Sequence, residues 1–221
     1  HRGKQSERLS RVAECARAHQ LPVLYVNQVG GQDELVFDGG SFAVDHHGEL
    51  CVSAATFSEA FPMVSVDPAA DSLLRTGDLI PAREELEAVW QALVLGMRDY
   101  VNKNGFPGVV LGLSGGIDSA VTLAVAVDAL GPERVEAVMM PFRYTASMSV
   151  EDAEAEAAAL AVRFSNISIE SLYEGFMAAL SDEFSGLPAN ITEENLQARC
   201  RGVLLMSISN KKNLLVLTTG N

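Results

Sequence analysis

The stretch Gly112-Leu113-Ser114-Gly115-Gly116-Ile117-Asp118-Ser119 decides the fold of this sequence. It lies between an apolar run that predicts a strand, Val109–Leu113, and an apolar-periodic run that predicts a helix, Ser119–Leu130. The adjacent glycines permit backbone conformations that other residues avoid, and the helix that follows presents free N–H groups and a partial positive charge. Since ligands of α/β sheets bind at the carboxyl ends of strands, the stretch predicts an anion-binding loop.

The residue types of this loop favour phosphate over other anions. Ser114 and Ser119 offer hydroxyl donors, and Asp118 would repel a bare phosphate, which indicates a bridging Mg²⁺ held by oxygen ligands. The spacing matches neither the GxxxxGK[ST] loop nor the GxGxxG dinucleotide fingerprint. A pair of glycines alone would fit a turn needed only for packing, whereas SGGxDS after a strand favours a ligand site.

Strands and helices alternate throughout the region that contains this loop. A helix predicted over Glu84–Lys103 precedes it. After it, the pattern predicts strands at Val135–Met140, Ser165–Ile169 and Leu214–Leu217, and helices at Val150–Val162, Leu172–Leu180 and Thr192–Asn210. Such alternation predicts an α/β fold whose parallel sheet is covered on both faces.

The first part of the chain has a different pattern. A helix is predicted over Ser6–His19 and a short strand over Val23–Val26. Further strands at Leu35–Phe37, Ser41–Val44 and Leu50–Val52 are joined by turns of Gly and Asp. We therefore expect one domain over residues 1–70, a linker over 71–83 and a second domain over 84–221.

Composition excludes several classes of protein. The chain has 221 residues with 29 acidic and 16 basic ones, and its formal net charge of −13 argues against a protein that coats nucleic acid. No stretch approaches about 18 consecutive apolar residues, so no transmembrane helix is expected. Cys15, Cys51 and Cys200 form neither a disulfide framework nor a CxxC metal site, and this favours a reducing cytoplasm.

The loop and several other segments resemble a known family. SGGIDS is similar to the pyrophosphate-binding loop of ATP pyrophosphatases, which cleave ATP to AMP and pyrophosphate while adenylating a substrate. The segments Pro141–Ser147, Glu194–Gly202 and Leu217–Asn221 resemble NAD synthetases. Gly3-Lys4, Tyr25–Asn27 and Phe37–Ser41 are similar to the end of a nitrilase-type glutaminase domain. Together they resemble the glutamine-dependent NAD synthetases over nearly the whole chain.

This resemblance implies a fold and a division of labour. The second domain would be a Rossmann-like parallel sheet of the adenine-nucleotide alpha-hydrolase type, preceded by the C-terminal part of an α/β/β/α nitrilase-like domain. The chain would then be truncated at both ends. The glutaminase Glu, Lys and Cys would lie upstream of His1, so no catalytic residue is expected within this chain.

The resemblance also implies binding residues. ATP would be bound by Gly112, Leu113, Ser114, Gly115, Gly116, Ile117, Asp118, Ser119, Arg143 and Thr219, with Asp118 also holding Mg²⁺. Asn195 and Arg199 would bind deamido-NAD, and Lys4 would contact L-glutamine. Arg199 and Arg201 would face phosphates of ATP or of the dinucleotide. Two arginines two positions apart on a helix cannot share one face, so the alternative for at least one of them is a solvated or salt-bridged side chain. A turn at Thr219 and helix capping by Asn195 are the structural alternatives.

The implied activity is the ATP-dependent amidation of deamido-NAD to NAD through an adenylate, with ammonia from glutamine. The family is built from dimers, which implies a homo-oligomer whose ligands are small molecules. The alternatives are another ATP pyrophosphatase, such as GMP synthetase, and a non-catalytic nucleotide sensor. The acidic composition disfavours a tRNA-modifying relative.

Overall fold

Two units of packing, His1–Tyr100 and Val101–Asn221, make up the computed structural model. The structure describes residues 3–69 and 74–219. The linker predicted over 71–83 begins outside these ranges, as do the last two residues of the Leu217–Asn221 segment. The domain limits expected from the sequence therefore stay a prediction.

The first unit places a helix against a small antiparallel sheet. In chain order it contains α1 (Lys4–His19), β1 (Val23–Tyr25), β2 (Val29–Gln32), β3 (Leu35–Asp38), β4 (Phe42–Val44), β5 (Leu50–Ser53) and most of α2 (Glu85–Lys103). Three of these strands pair in the order β1-β4-β5. Ala16 of α1 is fully buried in one cluster with Phe42 and Val44 of β4. The amphipathic helix predicted near the start of the chain therefore packs by its apolar face.

One strand of the first unit was not predicted. β2 forms a two-stranded hairpin with β3, and Gly31 lies opposite Val36. A Cβ atom on Gly31 would lie 3.0 Å from the Cα of Gly96 in α2, and the Gly31 N–H donates to Asp99 Oδ2 at 2.8 Å. The glycine thus permits a close approach of helix and hairpin that a side chain would prevent.

The second unit contains the predicted parallel sheet. Its elements are β6 (Val109–Gly112), α3 (Ile117–Leu130), β7 (Val135–Met139), α4 (Ser147–Ala159), β8 (Arg163–Asn166), α5 (Glu170–Ala179), α6 (Ile191–Lys212) and β9 (Leu215–Leu217). The four strands run parallel in the order β8-β7-β6-β9. The α/β class and the parallel sheet predicted from the sequence are confirmed.

Both faces of this sheet are buried. Val110 of β6 and Val138 of β7 belong to a core cluster with Cys200 of α6, against which Tyr173 of α5 packs. Val109, which alternates with Val110 and so projects from the other face, is also 0% exposed. Near-continuous apolar strands are typical of a parallel sheet with helices on both sides.

The longest helix, α6, has defined ends. Asn190 accepts from the Thr192 N–H at 2.8 Å, and the Glu193 side chain accepts from the Asn190 N–H at 2.8 Å, which forms a capping box. Asn213 ends the helix in the left-handed conformation with φ of 57°. Across the described ranges, no helix has the length and apolar character needed to cross a membrane.

Packing of α3 on the sheet generates a stability prediction. Leu123 is 0% exposed, whereas Val121 on the same helix is 44% exposed. We expect Leu123→Ala to lower the free energy of unfolding by about 2–5 kcal/mol, because it leaves a cavity, and the control Val121→Ala to lower it by less than about 1 kcal/mol. The midpoint of urea unfolding, followed by circular dichroism, measures both. Equal midpoints for the two variants would contradict the packing described.

Candidate functional site

The topology of the sheet marks the place of a ligand site. The chain proceeds from β6 outward to β7 and β8, then returns to place β9 on the opposite side of β6. In open α/β sheets, ligands bind outside the carboxyl ends of the strands at such a reversal of strand order. The reversal lies between β6 and β9, and the loop that follows β6 is the predicted anion-binding loop.

Gly115 determines the path of this loop. Its φ is +77°, and a Cβ atom there would lie 2.3 Å from the carbonyl oxygen of Ser149 in α4. Both the left-handed conformation and the close backbone approach require glycine. The chain can therefore turn directly from the end of β6 into the start of α3.

The two serines of the loop have different environments. Ser119 is buried, and its hydroxyl donates to the Gly116 carbonyl at 2.8 Å while accepting from the Ser114 N–H at 3.2 Å. Ser114 is exposed, and its Oγ accepts from the Gly116 N–H at 3.3 Å. Ser119 thus stabilises the loop from inside, whereas Ser114 lies on the solvent side.

The start of α3 is open to a ligand. Its N-cap is Gly116, which has no side chain to cap the helix, and both Ile117 and Asp118 in the first turn are exposed. The first N–H groups of a helix carry a partial positive charge that favours anions. In the described part of the chain, no group of three or more His, Cys, Asp and Glu residues could hold a metal ion. An ion at Asp118 would therefore need further oxygen ligands from a bound phosphate, which is usual for Mg²⁺.

A pocket of about 390 Å³ opens beside the loop at the carboxyl ends of β6, β7 and β9. Aliphatic and thioether side chains contribute most of its wall, and hydroxyls and one cation contribute the polar part. The lining comprises Leu111, Gly112, Leu113, Ser114, Thr122, Val138, Met139, Met140, Thr145, Arg201, Leu205, Leu217, Thr218 and Thr219. Three of the predicted ATP-loop residues and Thr219 are therefore brought together on one pocket.

The two arginines of α6 lie on different sides of the helix. Arg201 is half-buried, lines the pocket, and donates from Nε to the Met140 carbonyl at 3.1 Å. Arg199 is exposed, bonds the Asn195 carbonyl at 3.1 Å, and lines a second groove with Val203 and Met206. This separation agrees with the expectation that residues two apart on a helix face different directions.

Two other predicted residues lie outside the pocket lining. Arg143 is exposed and forms ion pairs with Glu170 and Glu174, and the hydrogen bond to Glu170 raises the pKa of its guanidinium. Asn195 is exposed in the second turn of α6. The N-cap of that helix is Asn190, so capping does not account for Asn195.

Lys4 and the three cysteines are not among the residues that line the pocket. Lys4 begins α1 in the first unit, and its Nζ pairs with Glu7 at 2.7 Å. Burial raises the pKa of the Cys51 thiol, with the charge of Asp45 adding to the effect, and burial also raises the pKa of Cys200. A raised pKa disfavours the nucleophilic thiolate. Cys15 is exposed on α1.

Sequence reasoning missed several wall residues of the pocket. Thr145 and Met140 lie just after the end of β7, and Leu205 lies one helical turn after Arg201. The position of Thr145 beyond a predicted strand was an available signal, because that edge of the sheet binds ligands. No local signal marked Leu205, since its side of α6 depends on how the helix packs.

Comparisons with known proteins find relatives that match nearly the whole chain. The glutamine-dependent NAD(+) synthetase of Acinetobacter baylyi is 46% identical over 219 residues, which are 99% of this chain and 40% of that protein. The solved glutamine-dependent NAD+ synthetase of Acinetobacter baumannii, in complex with ADP, superposes with a TM-score of 0.94 at 49% identity over 99% of this chain and 41% of that one. The chain thus spans about two fifths of the length of these relatives.

A smaller relative matches a smaller part. The NH3-dependent NAD synthetase of Campylobacter jejuni, solved with a nitrate ion, gives a TM-score of 0.56 at 32% identity and covers 63% of this chain and 58% of that one. The sequence model of the NAD synthase family matches residues 89–221, which include the loop after β6, the pocket and α6. Because that match takes in more than half of the sequence, this chain belongs to the NAD synthase family.

Proposed function

We propose that the protein to which this chain belongs converts deamido-NAD to NAD at the expense of ATP, with glutamine as the source of ammonia. Membership of the NAD synthase family and the names of the relatives that match 99–100% of the chain support the reaction. The ADP bound in the Acinetobacter baumannii relative supports an adenine nucleotide as a ligand.

The composition of the pocket beside the β6–α3 loop is the observation that carries the proposal. Leu205 and Leu217, which are only partly buried, offer an apolar wall on which a flat purine can be buried. Ser114, Thr219 and the start of α3 offer donors for phosphate oxygens. A ligand with an apolar base at one end and anionic groups at the other fits this arrangement.

We assign roles within this proposal as the family resemblance implies them. Gly112 through Ser119 and Thr219 bind ATP, and Ser119 acts by holding the loop. Asn195 and Arg199, both exposed on α6, bind deamido-NAD, and Lys4 contacts glutamine. Arg143 binds nucleotide only by exchanging its carboxylate partners, Glu170 and Glu174, for phosphate.

Two further proposals concern the setting of the protein. The exposed Val203 and Met206 of α6 provide apolar surface for a second copy of the chain, which supports a homodimer. The three cysteines are free thiols, which supports a reducing cytoplasm as the location.

The reaction proceeds in two transfers. A carboxylate oxygen of deamido-NAD attacks the α-phosphorus of ATP, and the bond to the bridging oxygen breaks to release pyrophosphate. The N–H groups at the start of α3 stabilise charge on that leaving group. Ammonia then attacks the activated carbonyl and loses a proton, and AMP leaves. Asp118 would hold Mg²⁺, which when bound neutralises phosphate charge.

The complete gene product should catalyse exchange of pyrophosphate into ATP only when deamido-NAD is present. It should then form NAD with either glutamine or ammonium. Exchange measured by incorporation of labelled pyrophosphate tests the adenylation, and NAD formation tests the amidation. A requirement for a different acceptor such as XMP would contradict the substrate assignment. ATP binding without exchange for any acceptor would indicate the non-catalytic sensor.

Gly115→Ala should reduce adenylation strongly. The added Cβ meets the Ser149 carbonyl at 2.3 Å in a left-handed conformation, so the loop must move. We expect kcat/KM for ATP in the exchange reaction to fall about 100-fold or more, because displacement of positioning groups by about 1 Å is costly.

Gly105→Ala is the matched control for this variant. Gly105 has a similar φ of +74°, but a Cβ there would contact nothing within 4 Å. It should lower stability by about 1 kcal/mol and leave kcat/KM for ATP within about twofold. If both variants lost activity equally, backbone strain rather than the fit of the loop would explain the loss.

Asp118→Asn should change the dependence of the exchange rate on Mg²⁺. The amide retains the shape of the side chain but removes the charge that binds a hard cation. We expect the Mg²⁺ concentration for half-maximal exchange to rise about tenfold, which corresponds to about 1.4 kcal/mol. Asp128→Asn, an exposed position near the other end of α3, is the control. An unchanged Mg²⁺ dependence in Asp118→Asn would refute the assignment.

A further inference from the structure

We propose that Arg201 both fixes the end of β7 and binds a phosphate of ATP, and so positions the nucleotide in the pocket. The inference rests on the proposed function and adds to it the residue that gives the pocket a positive charge. Arg201 lies on α6, outside the Gly-rich loop, and lines the same pocket as the first residues of that loop.

The orientation of Arg201 follows from the packing of α6. The preceding residue, Cys200, is 1% exposed and belongs to the core cluster with Val110 and Val138. Leu205, four residues after Arg201, lines the same pocket. Residues four apart share a helix face, so Arg201 lies on the same side of α6 as Leu205. The burial of Cys200 fixes the rotation of the helix and so directs Arg201 toward the carboxyl ends of the strands.

One of the guanidinium nitrogens already has a structural role. Nε donates to the carbonyl of Met140 at 3.1 Å, directly after the last residue of β7. The segment around the carboxyl end of β7 is also held by backbone hydrogen bonds. The Ile167 N–H donates to the Met139 carbonyl, and the Ile169 N–H donates to the Pro141 carbonyl. The Arg201 contact therefore ties α6 to the segment that leads to Thr145, another wall residue of the pocket.

The terminal nitrogens of Arg201 are available for an anion. Within residues 3–69 and 74–219, the only hydrogen bond of its side chain is the one from Nε, and the side chain forms no ion pair. By contrast, Arg143 pairs with Glu170 and Glu174, and Arg163 contacts Glu136 at 3.6 Å. Each of these two arginines is thus neutralised by carboxylates, whereas Arg201 is not.

The pocket around Arg201 offers it no compensating charge. Among the described residues that line the pocket, Arg201 is the one charged side chain, although the chain as a whole carries a net charge of −13. A half-buried cation without a counter-ion is unfavourable, so an anionic ligand would be stabilised there. A guanidinium can donate from Nε to a carbonyl and from Nη1 and Nη2 to phosphate oxygens together, whereas a lysine ammonium lacks this fork.

Calorimetric titration of the complete gene product with adenosine, AMP and ATP tests the proposal. In Arg201→Gln we expect the affinity for AMP or ATP, or both, to fall about 10- to 100-fold, since a charged hydrogen bond to phosphate is lost, and the affinity for adenosine to stay within about twofold. Arg201→Lys should show a loss of about 3- to 10-fold, because it retains the charge but not the fork. Arg163→Gln, which removes an exposed arginine of the same unit outside the pocket, should leave all three affinities unchanged.

Each other outcome overturns a stated part of the inference. An equal loss of affinity for adenosine and for the nucleotides in both Arg201 variants would show a purely structural role. Unchanged affinities for AMP and ATP in Arg201→Gln would overturn the assignment of Arg201 to a phosphate of ATP. If the unmodified protein bound none of the three ligands, the proposed function would fail together with the inference.

Discussion

The close approach of Gly115 to the carbonyl of Ser149 is the constraint on which the site depends. A Cβ at this position would lie 2.3 Å from the carbonyl oxygen, and the φ of +77° already excludes most residues. This contact lets β6 pass into α3 without a longer connection, so the N–H groups of the helix lie at the carboxyl end of the central strand. The buried Ser119 hydroxyl then closes the turn through Gly116 and Ser114. The geometry of the proposed anion-binding loop is therefore a consequence of its backbone packing against α4.

An acidic chain can nevertheless bind an anionic nucleotide, because the relevant charges are local. The net charge of −13 is spread over the surface, where salt screens it beyond roughly 8–10 Å. At the carboxyl edge of the sheet, Glu170 and Glu174 are both paired with Arg143. The Arg201 cation lines the pocket, and the loop that leads from Ser114 of the lining to the open start of α3 lies beside it. Pairing of the nearby carboxylates thus leaves this part of an acidic molecule favourable to phosphate.

Local sequence patterns predicted most helices and strands of the second unit. They did not predict features that depend on tertiary contacts. The apolar run of β6, the glycines after it and the periodicity of α3 predict strand, loop and helix within two residues at most boundaries. β2 could not be predicted, because Gly30 and Gly31 have low strand propensity, and the need for Gly31 arises only from the close approach of α2. Likewise, the spacing of Arg199 and Arg201 showed that they face different directions, but only the burial of Cys200 determines which one reaches the pocket.

The two faces of α6 suggest how one helix can serve both substrates of the proposed reaction. Arg201 and Leu205 line the pocket at the strand ends, whereas Arg199 lies on the exposed side with Val203 and Met206. The capping box at Asn190 and the buried Cys200 fix both the start and the rotation of the helix. Adenylation requires the α-phosphate and the attacking carboxylate to meet in one geometry, and such positioning contributes substantially to the rate of the reaction. A rigid helix that contacts ATP on one face and deamido-NAD on the other would link the two orientations, so a change in the rotation of α6 would disturb both substrates at once.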